Sequence, residues 1–208
     1  MKLININPFV RFARLHKSIC TDTKKRLCYD CRLFLIKKGK GVIKAQKESY
    51  QVSAGSVVFL PPATVYSFDE IEKNTEIYVL NFDLVDKYTN FKHSLGTPYF
   101  GEHNESKILS YPMPKEFENP IVKKCTKTLK SAEKICEYFL VQKPYYRELS
   151  SAVLKEALIT FLQHEDEQSS YGVVNEVLSY IYQNFDSAEL NNTTIAEHFG
   201  YHPYYLIS

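Results

Sequence analysis

Leu27-Cys28-Tyr29-Asp30-Cys31-Arg32-Leu33-Phe34-Leu35-Ile36-Lys37-Lys38, then Gly39-Lys40-Gly41, then Val42-Ile43-Lys44-Ala45-Gln46, reads as a long strand, a turn and a returning strand. The first run is rich in residues that favour extended backbone, and the Gly-Lys-Gly marks where the chain reverses, which is a hairpin signal. Working outward, short apolar runs follow at 50–52, 57–60, 66–68 and 77–82, punctuated by Ala54-Gly55 and Pro61-Pro62. Many short strands with Gly and Pro between them predict a sandwich or barrel over roughly 26–84. Upstream, 3–20 reads as an arm carrying Phe9, Arg11, Phe12 and Arg14, and downstream 88–116 has no pattern that assigns it.

The second half changes period. Asn119 can cap and Pro120 can start a helix whose apolar positions Ile121, Cys125, Leu129, Ala132, Ile135, Cys136, Phe139 and Leu140 recur at helical spacing. A second helix begins near Pro144 or Tyr145 and carries Leu149, Val153, Leu154, Ala157, Leu158, Phe161 and Leu162. Helices joined by so short a connection should pack antiparallel, and their wide stripes suit either cover for the β region or a dimer interface as well. The polar stretch around 163–172 is the best linker, with 166–172 taken as its core. The expected organisation is therefore 1–165 as arm, β domain and helix pair, then the linker, then 173–208.

That last segment ends in Asn192-Thr193-Thr194-Ile195-Ala196-Glu197-His198-Phe199-Gly200-Tyr201-His202-Pro203-Tyr204-Tyr205-Leu206, the spacing of a helix-turn-helix. Asn191 or Asn192 can cap its first helix, Ala196 permits a close crossing, and Gly200 supplies a turn with positive φ. Leu206 with Ile195 and Phe199 fills the angle between the helices, and Pro203 suits the first turn of the second one. The DNA-facing candidates are Tyr204, Ile207 and Ser208, because a recognition helix reads base edges with its early residues. A solvated helix end is the plainer role open to them. The segment 171–208 holds Glu176, Asp186, Glu189 and Glu197 with no Lys or Arg, so it carries −4 while the rest carries +6 of the net +2. Such a piece alone should bind DNA poorly, since cations neutralising phosphate supply most non-specific affinity.

Bulk properties narrow the class. At 208 residues and 44% hydrophobic the chain can build a sizeable core. No apolar run approaches a membrane span, and the N-terminus alternates apolar residues with Asn5, Asn7, Arg11 and Arg14, so a cytoplasmic protein without membrane contact is expected. The odd count of 5 cysteines fits reduced thiols. Cys28 and Cys31 form a C-x-x-C, but residues three apart on a strand face opposite ways, so packing is expected rather than a shared metal. Cys125 and Cys136 fall on one face of the expected helix and read as core.

Taken together, the arm, the β domain, the helix pair, the linker and the final motif resemble a bacterial transcription regulator of the AraC family. The resemblance implies an α+β chain: a cupin-like double-stranded β-helix barrel, an antiparallel helix pair, then an incomplete helix-turn-helix domain. Gly55 and Pro61 stand at the spacing of the second cupin motif, with Ala63 at the usual Gly and Tyr66 where a metal-binding His belongs. Of the metal ligands only Glu48 has a match, so no metal and no cofactor are expected. The resemblance further implies a small effector, often a sugar, held in the barrel, DNA as the partner of the whole regulator, and a homodimer. The effector candidates are Arg32 and Lys38, on one strand face with Phe34 and Ile36, and Tyr66 and Phe68 after the proline pair. Plainer roles are open to each: Arg32 pairing with a neighbouring acid, Lys38 solvated at a turn, Tyr66 and Phe68 in the core.

Two other functions stay open. A small cupin enzyme would need a metal set or a nucleophile arrangement, whereas His16, His93, His103, His164, His198 and His202 are scattered, so a non-enzyme is expected. An interaction module acting without DNA would pair with another regulator instead.

Overall fold

Along Cys31–Lys38 successive side chains enter two different cores: Leu33 and Leu35 one, Phe34 and Ile36 the other. The computed structural model describes residues 1–163, 171–187 and 190–200. Its strands are β1 (Phe9–Ile19), β2 (Asp22–Leu27), β3 (Cys31–Lys38), β4 (Lys40–Ala45), β5 (Glu48–Ser53), β6 (Ser56–Leu60), β7 (Val65–Asp69), β8 (Thr75–Asp83) and β9 (Ile121–Lys124). Its helices are α1 (Lys127–Val141), α2 (Tyr146–Gln163), α3 (Tyr171–Asn184) and α4 (Asn192–Phe199). One antiparallel sheet has the order β1-β8-β3-β6-β9, the other β2-β7-β4-β5. The expected α+β class and the expected order of strands before helices are what the chain adopts.

The layers follow from the alternation. Phe34, Ile36, Val58, Leu60, Ile77 and Val79 of the five-stranded sheet meet Ile43, Ala45, Val52 and Tyr66 of the four-stranded one. On the other face, Leu33, Leu35, Val57, Phe59, Leu80 and Phe82 pack against Ala132 and Ile135 of α1 and Leu154, Leu158 and Phe161 of α2. A strand covered on both faces reads as a continuous apolar run, which is why β3, β6 and β8 stand out in the sequence.

Four expectations need correction. The 3–20 segment is no arm over most of its length: β1 pairs with β8 from Phe9↔Asp83 to Ile19↔Thr75. The run 27–38 is two strands, because the chain leaves one sheet at Leu27 and enters the other at Cys31, and burial on both sides hides the break. No helix starts at Pro120. Ile121 and Val122 are β-branched and extend the open edge of β6 as β9, with Phe59↔Ile121 and Val58↔Val122 in register. Cys125 therefore precedes α1, yet it and Cys136 still meet the same core. Cys28 and Cys31 do belong to opposite cores. Of the linker, 166–170 lies outside the described residues, and Tyr171 and Gly172 belong to α3.

By contact the chain divides into two compact units, Met1–His164 and Glu165–Ser208. Among the described residues no helix is long and apolar enough to cross a membrane.

The turn after β3 depends on Gly39, whose φ is +86° and whose missing Cβ would stand 2.9 Å from Thr75 Cα. Gly39→Ala should cost about 1–3 kcal/mol of stability, since it combines left-handed backbone with a clash; a lowered urea midpoint at unchanged m-value is the check.

Candidate functional site

The alternation of β3 carries Arg32 into the space between the sheets. Arg32 is only 3% exposed, and its cross-strand neighbour Asn81 on β8 is 2% exposed. Opposite them stand Tyr66 and Phe68 of β7, which close on Phe34 of β3. The ring centroids are 5.5 Å apart for Phe34–Tyr66, 5.2 Å for Phe34–Phe68 and 5.7 Å for Tyr66–Phe68. Three of the four expected effector residues thus converge, and the aromatic ones fill the interior in tilted and edge-on contacts. Lys38 does not join them: it is exposed at the far end of β3, as its solvated-turn reading allowed. Glu48 is likewise exposed, at the start of β5.

Next to Arg32 lies a charge cluster of which sequence reasoning foresaw only the pairing of Arg32 with a neighbouring acid, Asp30. A register shift in β1 between Val10 and Phe12 turns Arg11 inward, where its guanidinium pairs closely with Asp83. Its Nη1 is 3.7 Å from Asp30 Oδ2, and Arg32 Nη2 is 3.6 Å from Asp30 Oδ1. The four members come from β1, β3, β8 and the β2–β3 crossing, so no local spacing unites them. The one sequence signal was charge inside apolar runs, Asp30 and Arg32 above all. Burial pushes the Asp30 carboxyl up to about 6 against the opposing pull of Arg32 and Arg11. It also raises Asp83, and it pushes the Cys28 thiol and the Tyr66 hydroxyl up to about 12.

The stretch 88–100, irregular apart from one antiparallel bridge between Tyr99 and Arg26 of β2, is a strap held largely by arginine donors. Arg11 Nε donates to Phe91 O at 2.8 Å and Nη2 to Tyr88 O at 3.2 Å. Arg147 of α2 bridges Val10 O and Lys92 O, both at 2.9 Å. Arg32 Nη2 donates to Gly96 O at 2.7 Å, and Arg26 Nη1 to Thr97 O at 3.4 Å. Backbone carbonyls outside regular structure need donors, and guanidinium supplies several in a fixed plane. The strap crosses the polar end of the barrel, where Asn81 Nδ2 also reaches Ser94 Oγ at 3.5 Å.

A second concavity, about 710 Å³, opens beside β1 and the helix pair, bordered by Arg14, Leu15, Lys37, Glu137, Leu140 and Tyr146 among others.

In the second unit, Asn191 caps α4. Its side chain accepts from Thr193 N at 2.9 Å and Thr194 N at 3.1 Å, and Thr194 Oγ1 returns a contact to the Asn191 backbone. Gly200 ends the helix at φ +70°, Ile195 and Ala196 are buried, and the His198 ring stacks on Tyr180 of α3 at 4.0 Å. Tyr204, Ile207 and Ser208 lie outside the described residues.

No protein-family profile and no curated protein matches the chain. Among solved structures it is similar to a variant of apo ToxT from Vibrio cholerae, 14% identical over 95% of this chain and 72% of that one, with a TM-score of 0.45. Wild-type ToxT of the same organism with unsaturated fatty acid bound is 14% identical over 92% and 69%, with a TM-score of 0.41. The AraC-like transcriptional activator CuxR is 13% identical over 83% and 57%, with a TM-score of 0.33.

The charge cluster makes stability depend on pH in a definite direction. Near pH 5 the folded chain keeps the Asp30 proton that the unfolded chain has released, so folding is favoured there and the advantage fades as pH rises through about 6. Relative to Asp30→Asn, wild-type stability should fall between about pH 4 and about pH 6 by at most on the order of 3 kcal/mol, and stay level above. Urea unfolding of both proteins across that range measures it.

Proposed function

We propose that the chain is a ligand-responsive, sequence-specific DNA-binding transcription regulator, with its β domain as the sensing part and 171–208 as the start of its DNA-binding unit. The observation that carries the reading is α4: a capped helix with a fully buried Ala196 and a left-handed Gly200 after it. This supports reading 192–200 as the first half of a helix-turn-helix. The effector, a sugar or a small acid, binds at the inner end of the barrel around Arg32, Asn81 and Tyr66, where buried polar groups face an aromatic wall. Binding biases how the strap and helices pack, and so how DNA-binding units are presented.

The protein acts in the cytoplasm as a homodimer through α1 and α2. Supporting this, Leu140 (84% exposed), Val141, Tyr145 and Leu149 form an apolar patch where the two helices meet. It is a regulator rather than an enzyme on this reading, and the thiols of Cys28 and Cys31, both held up by burial, are poor nucleophiles. The lack of any Lys or Arg in 171–208 favours one second reading, an interaction module that acts without DNA.

Chromatin immunoprecipitation of the endogenous protein, tagged at residue 1, separates the two. Discrete enriched sites, lost in Ala196→Leu, are expected, because overpacking this fully buried position of α4 costs about 1–3 kcal/mol; enrichment no greater than from untagged cells sinks the DNA reading. For the dimer, Leu140→Asp with Leu149→Asp should halve the mass seen by light scattering while the far-ultraviolet circular dichroism spectrum stays that of the folded protein, and it should abolish the concentration dependence of the melting temperature.

A further inference from the structure

We infer that the ligand of the barrel's inner end is a small hydroxycarboxylate, whose two carboxylate oxygens take the Nε–Nη2 edge of Arg32 in place of the Gly96 carbonyl. The inference rests on the reading of this end of the barrel as the sensing site and narrows its chemistry. Arg32 Nη2 donates to Gly96 O at 2.7 Å, while Nε, the other donor of that edge, is buried without a hydrogen-bond partner among the described residues, the weakly accepting Cys28 thiol being the side chain beside the guanidinium. A single carbonyl oxygen uses half of a planar fork that a carboxylate fills with two parallel bonds. The vicinal hydroxyls of a neutral sugar also offer two acceptors but no charge, and charge-assisted bonds are the stronger ones, so a carboxylate fits this edge better.

The hydroxyl is called for by Asn81. It neighbours Arg32 across the β3–β8 ladder, and its Oδ1 is buried and unpartnered, an acceptor that a ligand O–H satisfies. Both side chains are engaged by the same piece of strap, Asn81 by Ser94 Oγ and Arg32 by Gly96 O, so one small displacement frees both. Gly96 sits in open space, with φ +85° and no atom near its missing Cβ, which leaves the strap room to move.

The added negative charge is balanced nearby. The cluster Arg11, Arg32, Asp30 and Asp83 is neutral with both acids ionised. Asp30, facing Arg11 from β1, Arg32 from β3 and Asp83 from β8, with Cys28, Cys31 and Tyr66 close by, takes up a proton as the ligand enters. Binding is therefore tighter at about pH 5.5 than at about pH 7.5.

Isothermal titration of the whole chain with glycerate, propionate and glycerol tests this. Glycerate should bind at least about tenfold more tightly than propionate, as expected for one buried hydrogen bond, and glycerol should not bind. Arg32→Lys keeps the charge but not the fork and should weaken glycerate about tenfold or more. Asn81→Ala should bring glycerate down to propionate, and it serves alone where Arg32→Lys does not fold. Glycerate should also speed tryptic cleavage after the exposed Lys92 as the strap lifts, which a purely structural Arg32 would not do. Tight glycerol binding, equal binding of glycerate and propionate, or no binding of any of the three overturns the inference. The chromatin experiment is indifferent to this panel, so a failure of the regulator reading shows there separately.

Discussion

The five-stranded sheet is covered on both faces, and nearly everything else in the first unit follows from that. Each residue of β3, β6 and β8 must be apolar or find a partner, because neither face offers water. Arg32 and Asn81 break the pattern on β3 and β8, at neighbouring positions on one face. They can be there only because Asp30, Arg11 and Asp83 gather around them and the strap brings carbonyl oxygens to the guanidinium groups. The irregular stretch 88–100 is thus the counterpart of charges buried in the sheet, and its shape is set by where arginine donors point.

Buried ion pairs are weak evidence for stability, since desolvation offsets much of their attraction. Here the cluster even leaves Asp30 oxygens, Arg11 Nη1 and Arg32 Nε without hydrogen-bond partners among the described residues. An apolar quartet of equal volume would hold the sheet at least as well. The cluster makes more sense as a means of presenting polar groups at one end of the barrel, next to the aromatic wall of Phe34, Tyr66 and Phe68, at some cost to the fold.

Much of this was legible in the sequence, and the losses have physical causes. Strands β4 to β8 could be read from short apolar runs between glycine and proline turns, because both local preference and burial pointed the same way. β1 was hidden because its inward Arg11 and its exposed half (Arg14, Lys17, Ser18) break the alternation, and β9 because Asn119-Pro120 is an equally good start for a helix. Strand parity put Arg32 on one face with Phe34 and Ile36, though it put Lys38 there as well; Tyr66 and Phe68 were picked out by their place after the proline pair. Asn81, Arg11, Asp30 and the strap were not found, since their meeting depends on which strands are neighbours and on a bulge, and neither has a one-dimensional signature.

The position that departs most from a metal-holding barrel also shows what the interior is suited to. By the motif spacing that the sequence resembles, Tyr66 takes the place expected of a histidine ligand, and its ring packs on Phe34 and Phe68. A histidine there would offer an imidazole to a metal; a tyrosine with its hydroxyl held protonated by burial offers a wall and a neutral polar edge. With the middle of the barrel filled by rings, the polar groups left are at one end, where Arg32 and Asn81 lie under the strap. A filled interior with a polar, strap-covered end is well suited to recognition, because a ligand that displaces a few strap residues changes the packing around Arg147 and α2 through the same run of carbonyls. On the proposed reading, coupling between site and helices needs no long pathway: Arg147 and Arg32 hold the same strap only four residues apart, at Lys92 and Gly96.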